Sequence, residues 1–445
     1  MSSTLPNTMP KLAKEPDFAA LLSLDWGDQK HVWKLAPTAA AAEQGELENT
    51  PEAVHAWATG LGQRFDGRPI AVCLEQSRGA LVYMLSQYPH LVLFPVHPTT
   101  AARYRQTFHT SGAKADPSDA ASLLDLLQRH REKLRPLQAE DETTRRLRFL
   151  TEHRRRMVDD KTRLKLRLIA CLKQYFPQLL DWFDEVDSPL VEALLSRWPT
   201  LQQLRRAHPG TLRRFFHEHN CRGEERIQQR IDAIYAATPA TQDAAVVEEL
   251  STVACDWAAT LATLRERIAR VDQRIAGLVA EHPDRAVFAS LPGAGPALLP
   301  RLLVAFGTDR HRYDSASQIQ CLSGIAPVVT ASGKTHSVHF RHWCAKFLRQ
   351  TFHEFAFCSL RKSVWAEAFY RLQRDKGKSH HAAVRALAYK WIRIIFRCWK
   401  DGKPYDELAY LETLQKRNSP LKACLASTTP IEWKTVAGFK KLSAK

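Results

Sequence analysis

The sequence has no apolar run near the ~18 residues that a membrane-spanning helix requires, and no charged-then-apolar N-terminal segment of the secretory kind. Its nine cysteines, at 73, 171, 221, 255, 321, 344, 358, 398 and 424, form no Cys-x-x-Cys pair. That excludes a zinc ribbon and a thioredoxin-like redox motif, and the cysteines read as reduced thiols of a cytoplasmic protein. Low-complexity tracts and fixed-period repeats are absent. Acid is scarce too: 47 Asp and Glu face 64 Lys and Arg, a net charge of +17. The first hundred residues hold 7 Lys or Arg against 10 Asp or Glu, so the whole basic excess lies beyond them. An acidic head on a basic body points to a catalytic module joined to a polyanion-binding one, with nucleic acid as the polyanion.

What is present is a 445-residue chain, 44% hydrophobic, enough for two or three domains with buried cores. Residues 1–16 hold three prolines and read as a loose tail. Residues 19–25 and 31–36 read as strands around a tight turn at Gly27-Asp28, with a loop over 37–50. Thr50-Pro51-Glu52 reads as an N-cap, a first-turn proline and a first-turn acid, starting a helix to about Arg64. A strand over 69–75, a helix over 79–87, a strand over 91–96 and a helix from Asp116 to about His130 follow. Strands alternating with helices predict an α/β domain over 17–132.

Beyond it the period changes. Leu147, Leu150, Arg154, Met157, Lys161, Leu164, Leu168 and Cys171 are spaced alternately three and four apart, a heptad seam interrupted by two basic residues. A second seam runs from Leu250 through Trp257, Leu264 and Val271 to Leu278. These predict a basic coiled-coil or helical domain over 138–282, packed within one chain or between two. A mostly helical C-terminal domain over 284–406 and a tail over 407–445 complete the chain.

Four carboxylates stand out. Asp25 and Glu75 each end an apolar strand, and Asp116 and Asp119 sit three apart at the start of a helix, on one side of it. Divalent cations such as Mg²⁺ or Mn²⁺ take hard oxygen ligands, and phosphodiester chemistry on metals needs several carboxylates converging from separate elements. Taken alone, Asp116 is equally well explained as a helix cap. Their order and wording carry more. Leu24-Asp25-Trp26-Gly27, Leu74-Glu75-Gln76-Ser77 and Lys114-Ala115-Asp116-Pro117-Ser118-Asp119-Ala120 resemble the DEDD transposases of bacterial insertion sequences. Ala115 stands where that family has Thr. The resemblance implies a ribonuclease-H-like N-terminal domain of the Holliday-junction-resolvase type, with all four acids as catalytic metal ligands or their close support.

In the second half, Ser290-Leu-Pro-Gly-Ala-Gly295 resembles a helix-hairpin-helix turn, in which Gly293 and Gly295 would let backbone N–H groups face a phosphate. A plain helix–helix turn explains it equally well. Leu322-Ser-Gly-Ile-Ala-Pro327, Ala331-Ser332-Gly333-Lys334 and Arg349 resemble the C-terminal domain of the same transposases. That resemblance implies that Ser332 attacks the DNA phosphate as a serine recombinase, with Ser323 and Ser337 as neighbouring competitors. It also implies nucleic-acid contacts at Lys334 and Arg349. From chemistry alone Ser332 is a loop serine, since a hydroxyl is a poor nucleophile until its proton is removed. Arg341-His342-Trp343-Cys344 departs from the family's Gly-Asn run there. The resemblance covers roughly 18–130 and 284–406.

Arg145, Arg146, Arg148, Arg154, Arg155, Arg156, Lys161, Arg163, Lys165, Arg167 and Lys173 lie on one predicted helix, with only Glu152, Asp159 and Asp160 as local acids. Such a helix binds phosphates strongly and without sequence preference; a solvated charged face is the plainer alternative. The family resemblance adds a structured guide RNA as partner, DNA donor and target, and assembly as a homodimer or homotetramer in the bacterial nucleoid. The sequence therefore points to an RNA-guided DNA transposase. The alternatives are a structure-selective endonuclease using carboxylates, metal and water, and a non-catalytic nucleic-acid-binding protein.

Overall fold

The computed structural model describes residues 17–108, 116–138, 140–333, 335–417, 419 and 421, without the side chains of 116 and 117. The predicted N-terminal tail, Lys334 and most of the predicted C-terminal tail lie outside the described residues. The chain divides into two compact units, Met1–Ala139 and Glu140–Lys445. Among the described residues no helix is long and apolar enough to cross a membrane.

The first unit runs β1 (Ala20–Asp25), β2 (Lys30–Pro37), β3 (Glu43–Glu48), α1 (Pro51–Arg64), β4 (Ile70–Leu74), α2 (Ala80–Leu85), β5 (Leu91–Pro95), α3 (Pro98–Phe108) and α4 (Asp116–His130). Its five strands lie in the order β3-β2-β1-β4-β5. β1, β2 and β3 pair antiparallel, while β1, β4 and β5 run parallel. Side chains alternate across a strand. Ala20, Leu22 and Leu24 therefore share one face with Ile70, Val72 and Leu74, packed with Val54 of α1 and Leu81 of α2. Ala71 and Cys73 turn to the other face, with Phe94, Ala101 of α3, and Leu123 and Leu127 of α4. Thr50 caps α1, its side chain accepting from the Ala53 N–H, as the sequence predicts. The predicted loop over 37–50 instead contains β3. An edge strand pairs on one side only, and here a single buried residue, Leu47, anchors it, so no apolar run announces it.

The second unit is helical. α5 (Glu142–Tyr175) is followed by α6 (Gln178–Trp182), α7 (Pro189–Arg197), α8 (Leu201–Arg206), α9 (Pro209–Glu218), α10 (Glu224–Ala236) and α11 (Ala244–Ala280). α5 and α11 pack antiparallel: Arg154 pairs with Asp272, and the Cys171 thiol donates to the Leu250 carbonyl at 3.3 Å. Both basic interruptions of the α5 seam are matched, Arg154 by Asp272 and Lys161 by Asp187 at 2.8 Å. Then come α12 (Arg285–Ala289), α13 (Leu299–Phe306), α14 (Ala316–Leu322), β6 (Val328–Ser332), β7 (Thr335–His339), α15 (Lys346–Ser359), α16 (Val364–Asp375), α17 (His380–Asp401) and α18 (Glu407–Lys416). The core of this part is built on Trp365, Trp391 and Trp399, all fully buried. Each indole N–H is satisfied, by Tyr405 Oη (2.7 Å), Ser359 Oγ (2.8 Å) and the Gly307 carbonyl (2.7 Å). Two elements differ from the mostly helical expectation: the β6–β7 hairpin, and α18 inside the predicted tail.

Candidate active site and nucleic-acid surface

Parallel pairing brings the first two acids together. Leu24 of β1 is in register with Leu74 of β4, so Asp25 and Glu75 follow on adjacent strand ends, about 4.8 Å apart in the sheet direction. Parity with Ala71 and Cys73 turns both toward the face covered by α3 and α4. A buried hydrogen bond from Ser23 Oγ to the Ala120 carbonyl (2.6 Å) ties the first turn of α4 to β1. That tie sets Asp119, 5% exposed, over the same strand ends. The Asp116 side chain lies outside the described residues.

The positive charge that answers these acids is Arg105 of α3. Its guanidinium hydrogen-bonds Asp119, and its pKa is raised by that bond first and further by the fields of Glu75 and Asp25. Burial, with the Glu75 charge second, pushes the Cys73 thiol up to about 12. Glu75, Tyr104, Arg105, Asp119 and Ser122 line a small cleft at this point. Tyr104 donates to Asp125 Oδ2 at 2.6 Å and so steadies α3 against α4. Among the described residues no three His, Cys, Asp or Glu side chains close tightly enough to hold a metal ion. The donor set nevertheless suits one. Carboxylates supply the hard oxygen ligands that Mg²⁺ and Mn²⁺ take, and Asp25, Glu75 and Asp119 act on the Arg105 guanidinium from three separate elements.

Ser332 ends β6 and is paired with Thr335 of β7. It is exposed at the hairpin tip, where Gly333 takes φ +56, a left-handed conformation suited to glycine. Among the described residues its hydroxyl has no hydrogen-bond partner. Lys334 lies outside the described residues. Ser323, one of its competitors, is fully buried and bonds the Gln320 carbonyl at 3.2 Å. Ser337, the other, is on the hairpin. Arg349, expected at nucleic acid, donates from Nη2 to the carbonyls of Arg341 and His342 and lies over the Phe340 ring at 4.4 Å. It clamps the root of the hairpin. Gly293 takes φ +96, and a Cβ there would meet the backbone of Cys358 and Ser359 at 3.0–3.2 Å, so this turn is seated against the end of α15. A Cβ on Gly295 would meet nothing.

The basic residues of α5 divide into two groups. Arg146, Arg148, Arg154, Arg155, Lys161, Arg163 and Lys165 are ion-paired, four of the acids coming from outside the helix, Glu140, Asp272, Glu354 and Asp187, and three from α5 itself, Glu142, Asp159 and Asp160. Two lysines bring the Asp187 carboxyl down to about 2, against the opposing effect of its burial. Arg145, Arg156, Arg167 and Lys173 are exposed and have no carboxylate partner among the described residues. Sequence reasoning missed a second set. Where the α5–α11 seam loosens, Met157, Leu264 and Val271 floor a groove of about 520 Å³ rimmed by His153, Asp160, Arg267, Arg270 and Arg274. The three arginines are exposed, unpaired among the described residues, and spaced i, i+3, i+7 on one face of α11. That spacing was readable; the more conspicuous run on α5 hid it. Arg105 carried no such signal.

Two family profiles match the chain. One, of DEDD transposases of the IS110 type, matches residues 22–177. The other, described as the transposase IS116/IS110/IS902 family, matches residues 285–371. The protein named for transposition of the IS117 mini-circle of Streptomyces coelicolor is 28% identical over 417 residues, spanning 88% of this chain and 97% of that one. The 43.6 kDa protein of insertion element IS110, from the same organism, is 26% identical over 88% of this chain and 96% of its own length. The pilin gene-inverting protein of Moraxella bovis is 27% identical over 151 residues, 32% of this chain and 46% of that protein.

Proposed function

Starting from a chain that belongs to the IS110/IS116/IS902 family of insertion-sequence transposases, we propose that the acidic cleft of the N-terminal unit is a divalent-metal site for cutting and joining DNA. The observation that carries this is the convergence of three carboxylates from separate elements on the guanidinium of Arg105, which is bonded to Asp119 and lies in the fields of Glu75 and Asp25. Like charges gathered from β1, β4 and α4 repel one another, and a cation relieves them. Asp25, Glu75 and Asp119, with Asp116 on the same helix, would hold Mg²⁺ or Mn²⁺. Bound there, the ion would neutralise a phosphodiester and polarise its phosphorus. Arg105 holds Asp119 by its hydrogen bond and would swing clear on its long stem. The strand order β3-β2-β1-β4-β5, antiparallel then parallel, supports reading this unit as ribonuclease-H-like. Calorimetric titration with Mn²⁺ tests the site. Binding by the wild type that is abolished in Asp25→Asn and Glu75→Gln supports it, and unchanged binding in both overturns it.

We assign the nucleophile to Ser332. A serine lifted into solvent at the tip of a hairpin is free to approach a phosphate, and the family resemblance carries the rest. Attack by Ser332 Oγ joins it to phosphorus while the bond to the leaving strand breaks, which preserves the bond energy for rejoining. Attack by water at the carboxylates alone is favoured by one observation, that Asp25, Glu75, Asp119 and Arg105 come together within the first unit. Water leaves no covalent intermediate. A protein–DNA adduct trapped by denaturation, present in wild type and absent in Ser332→Ala, separates the two.

The unpaired arginines of α5 and α11 offer a sequence-independent surface for phosphates. We read the partner bound there as a structured guide RNA alongside donor and target DNA. Sequencing the nucleic acid that co-purifies tests this: one discrete RNA species supports it, and a random population overturns it. Several strand cuts per event make a homodimer or homotetramer the working form, which light scattering of the DNA-bound protein measures.

A further inference from the structure

The β6–β7 hairpin gathers its four hydroxyls on one face. Register pairs Val328 with His339, Thr330 with Ser337 and Ser332 with Thr335. Directly paired residues point to one face, so Thr330, Ser332, Thr335, Ser337 and His339 form a polar ladder. Val329 and Val338, also a register pair and both more than half exposed, occupy the other face. Within the ladder Ser337 Oγ lies 2.9 Å from His339 Nε2 and 3.0 Å from Thr330 Oγ1. None of these groups is used by the chemistry described so far, and this is the hairpin that carries Ser332.

We propose that His339, acting through Ser337, is the proton acceptor for attack by Ser332. The inference rests on the assignment of Ser332 as nucleophile. A hydroxyl has one proton to donate and two lone pairs to receive. With Ser337 donating to Nε2 of His339 and Thr330 donating to Ser337, one lone pair on Ser337 Oγ stays open. Ser332 is the diagonal neighbour of Ser337 on the same face, about 7–8 Å away along the ribbon. Two waters in line span that gap between the two hydroxyls. On attack the Ser332 proton passes to the first water, a proton of that water to the second, a proton of the second to Ser337, and the Ser337 proton to Nε2. The Oγ–P bond forms as the P–O bond to the departing strand breaks. The imidazolium is exposed and releases its proton to bulk water, from which the departing oxygen takes one up, so the relay ends neutral. Hydroxyl nucleophiles need such a base to take the proton. His339 is therefore a positioning and proton-relay residue, not one that touches the phosphate.

The test follows covalent adduct formation by the full-length protein on duplex DNA carrying the ends of its own insertion sequence, with Mg²⁺ present. His339→Ala slows the adduct about 10²-fold, and 50–100 mM imidazole, about the usual strength for such rescue, restores most of the loss. Ser337→Ala slows it similarly, and imidazole does not restore it. Thermal melting of both variants stays at the wild-type value, since His339 is exposed and Ser337 only half-buried. An adduct that forms at the wild-type rate in His339→Ala, or a loss there that imidazole leaves untouched, overturns the relay. An adduct that persists in Ser332→Ala overturns the nucleophile assignment instead, so the two failures are told apart.

Discussion

In the N-terminal unit three carboxylates from separate elements converge on the Arg105 guanidinium; in the helical unit the ion-paired carboxylates are spread out and meet one or two basic side chains apiece. Arg154 has Asp272, Arg265 has Glu192 and Arg310 has Asp284. The second pattern is structural: opposite charges are matched where helices meet. The first gathers like charges at one place, and like charges held that close cost stability unless cations relieve them. The comparison teaches where to look for chemistry in a chain this rich in charge: at like charges gathered from separate elements rather than at charges in abundance.

The sharpest way to break the comparison is to remove the gathered acids. Asp25→Asn with Glu75→Gln is expected to lower DNA cleavage by about 10³-fold or more while the melting temperature holds or rises. Cleavage near the wild-type rate would show that the pooled acids are structural after all. The next test removes one member of a pair. Glu354 serves both Arg301, whose side chain is only 7% exposed, and Arg155. Burial already lowers the Arg301 pKa, with Glu354 opposing that effect. Glu354→Ala should cost about 3 kcal/mol in urea unfolding, because it strands a buried charge. Glu142→Ala, which frees only the exposed Arg146, should cost about 0.5 kcal/mol at most. Equal losses would erase the distinction between buried and exposed pairs.

A third test asks whether unpaired charges bind and paired ones do not. Replacing Arg267, Arg270 and Arg274 together by Ala should lower the slope of log affinity against log salt by about 2–3. Arg154→Ala should leave that slope unchanged and lower stability. The smallest effect concerns a neutral group in the charged unit. His282 is buried; its Nδ1 accepts from the Asp284 N–H at 3.1 Å, and Nε2 faces the Thr144 hydroxyl at 3.2 Å. Burial lowers its pKa, against the fields of Asp284 and Asp141. A lowered value means that the unfolded chain takes up the proton first. Stability should therefore fall as the pH drops below the ordinary histidine value of about 6.5, by at most about 1.4 kcal/mol per pH unit. In His282→Gln that part of the slope, read from urea midpoints between pH 7 and 5, should disappear.

Much of the first unit could be read in advance because its signals are local. Thr50-Pro51-Glu52 caps a helix by itself, and the apolar runs ending at Asp25 and Glu75 are strands by themselves. β3 escaped because an edge strand asks only Leu47 to be apolar. The acid pair at the strand ends was visible; Arg105 was not, because no spacing ties an arginine in α3 to carboxylates on three other elements. The α5 arginines misled for the matching reason. Their partners Glu140, Asp187, Asp272 and Glu354 lie 8 to 199 residues away in sequence, so a local count of acids makes the helix look more available than it is. Val329 and Val338 alternate with the four hydroxyls of β6–β7 as a strand should, but one short polar ribbon between helices offers little to separate it from a loop.

One consequence concerns the chain's last described helix. α18 lies where the sequence promised only a tail, yet Leu411 and Leu414 belong to the tryptophan core, and the Tyr410 ring rests on Trp365 at 4.9 Å. Glu407 at its start accepts from Ser363 and Tyr405, closing the hydrogen-bond chain that begins at the Trp365 indole. A protein shortened to end at Asp406 would uncover Trp365 and leave Tyr405 without its acceptor. Deletion mapping from the C-terminus would then report solubility and proteolysis, and a lost activity there would say nothing about where DNA binds.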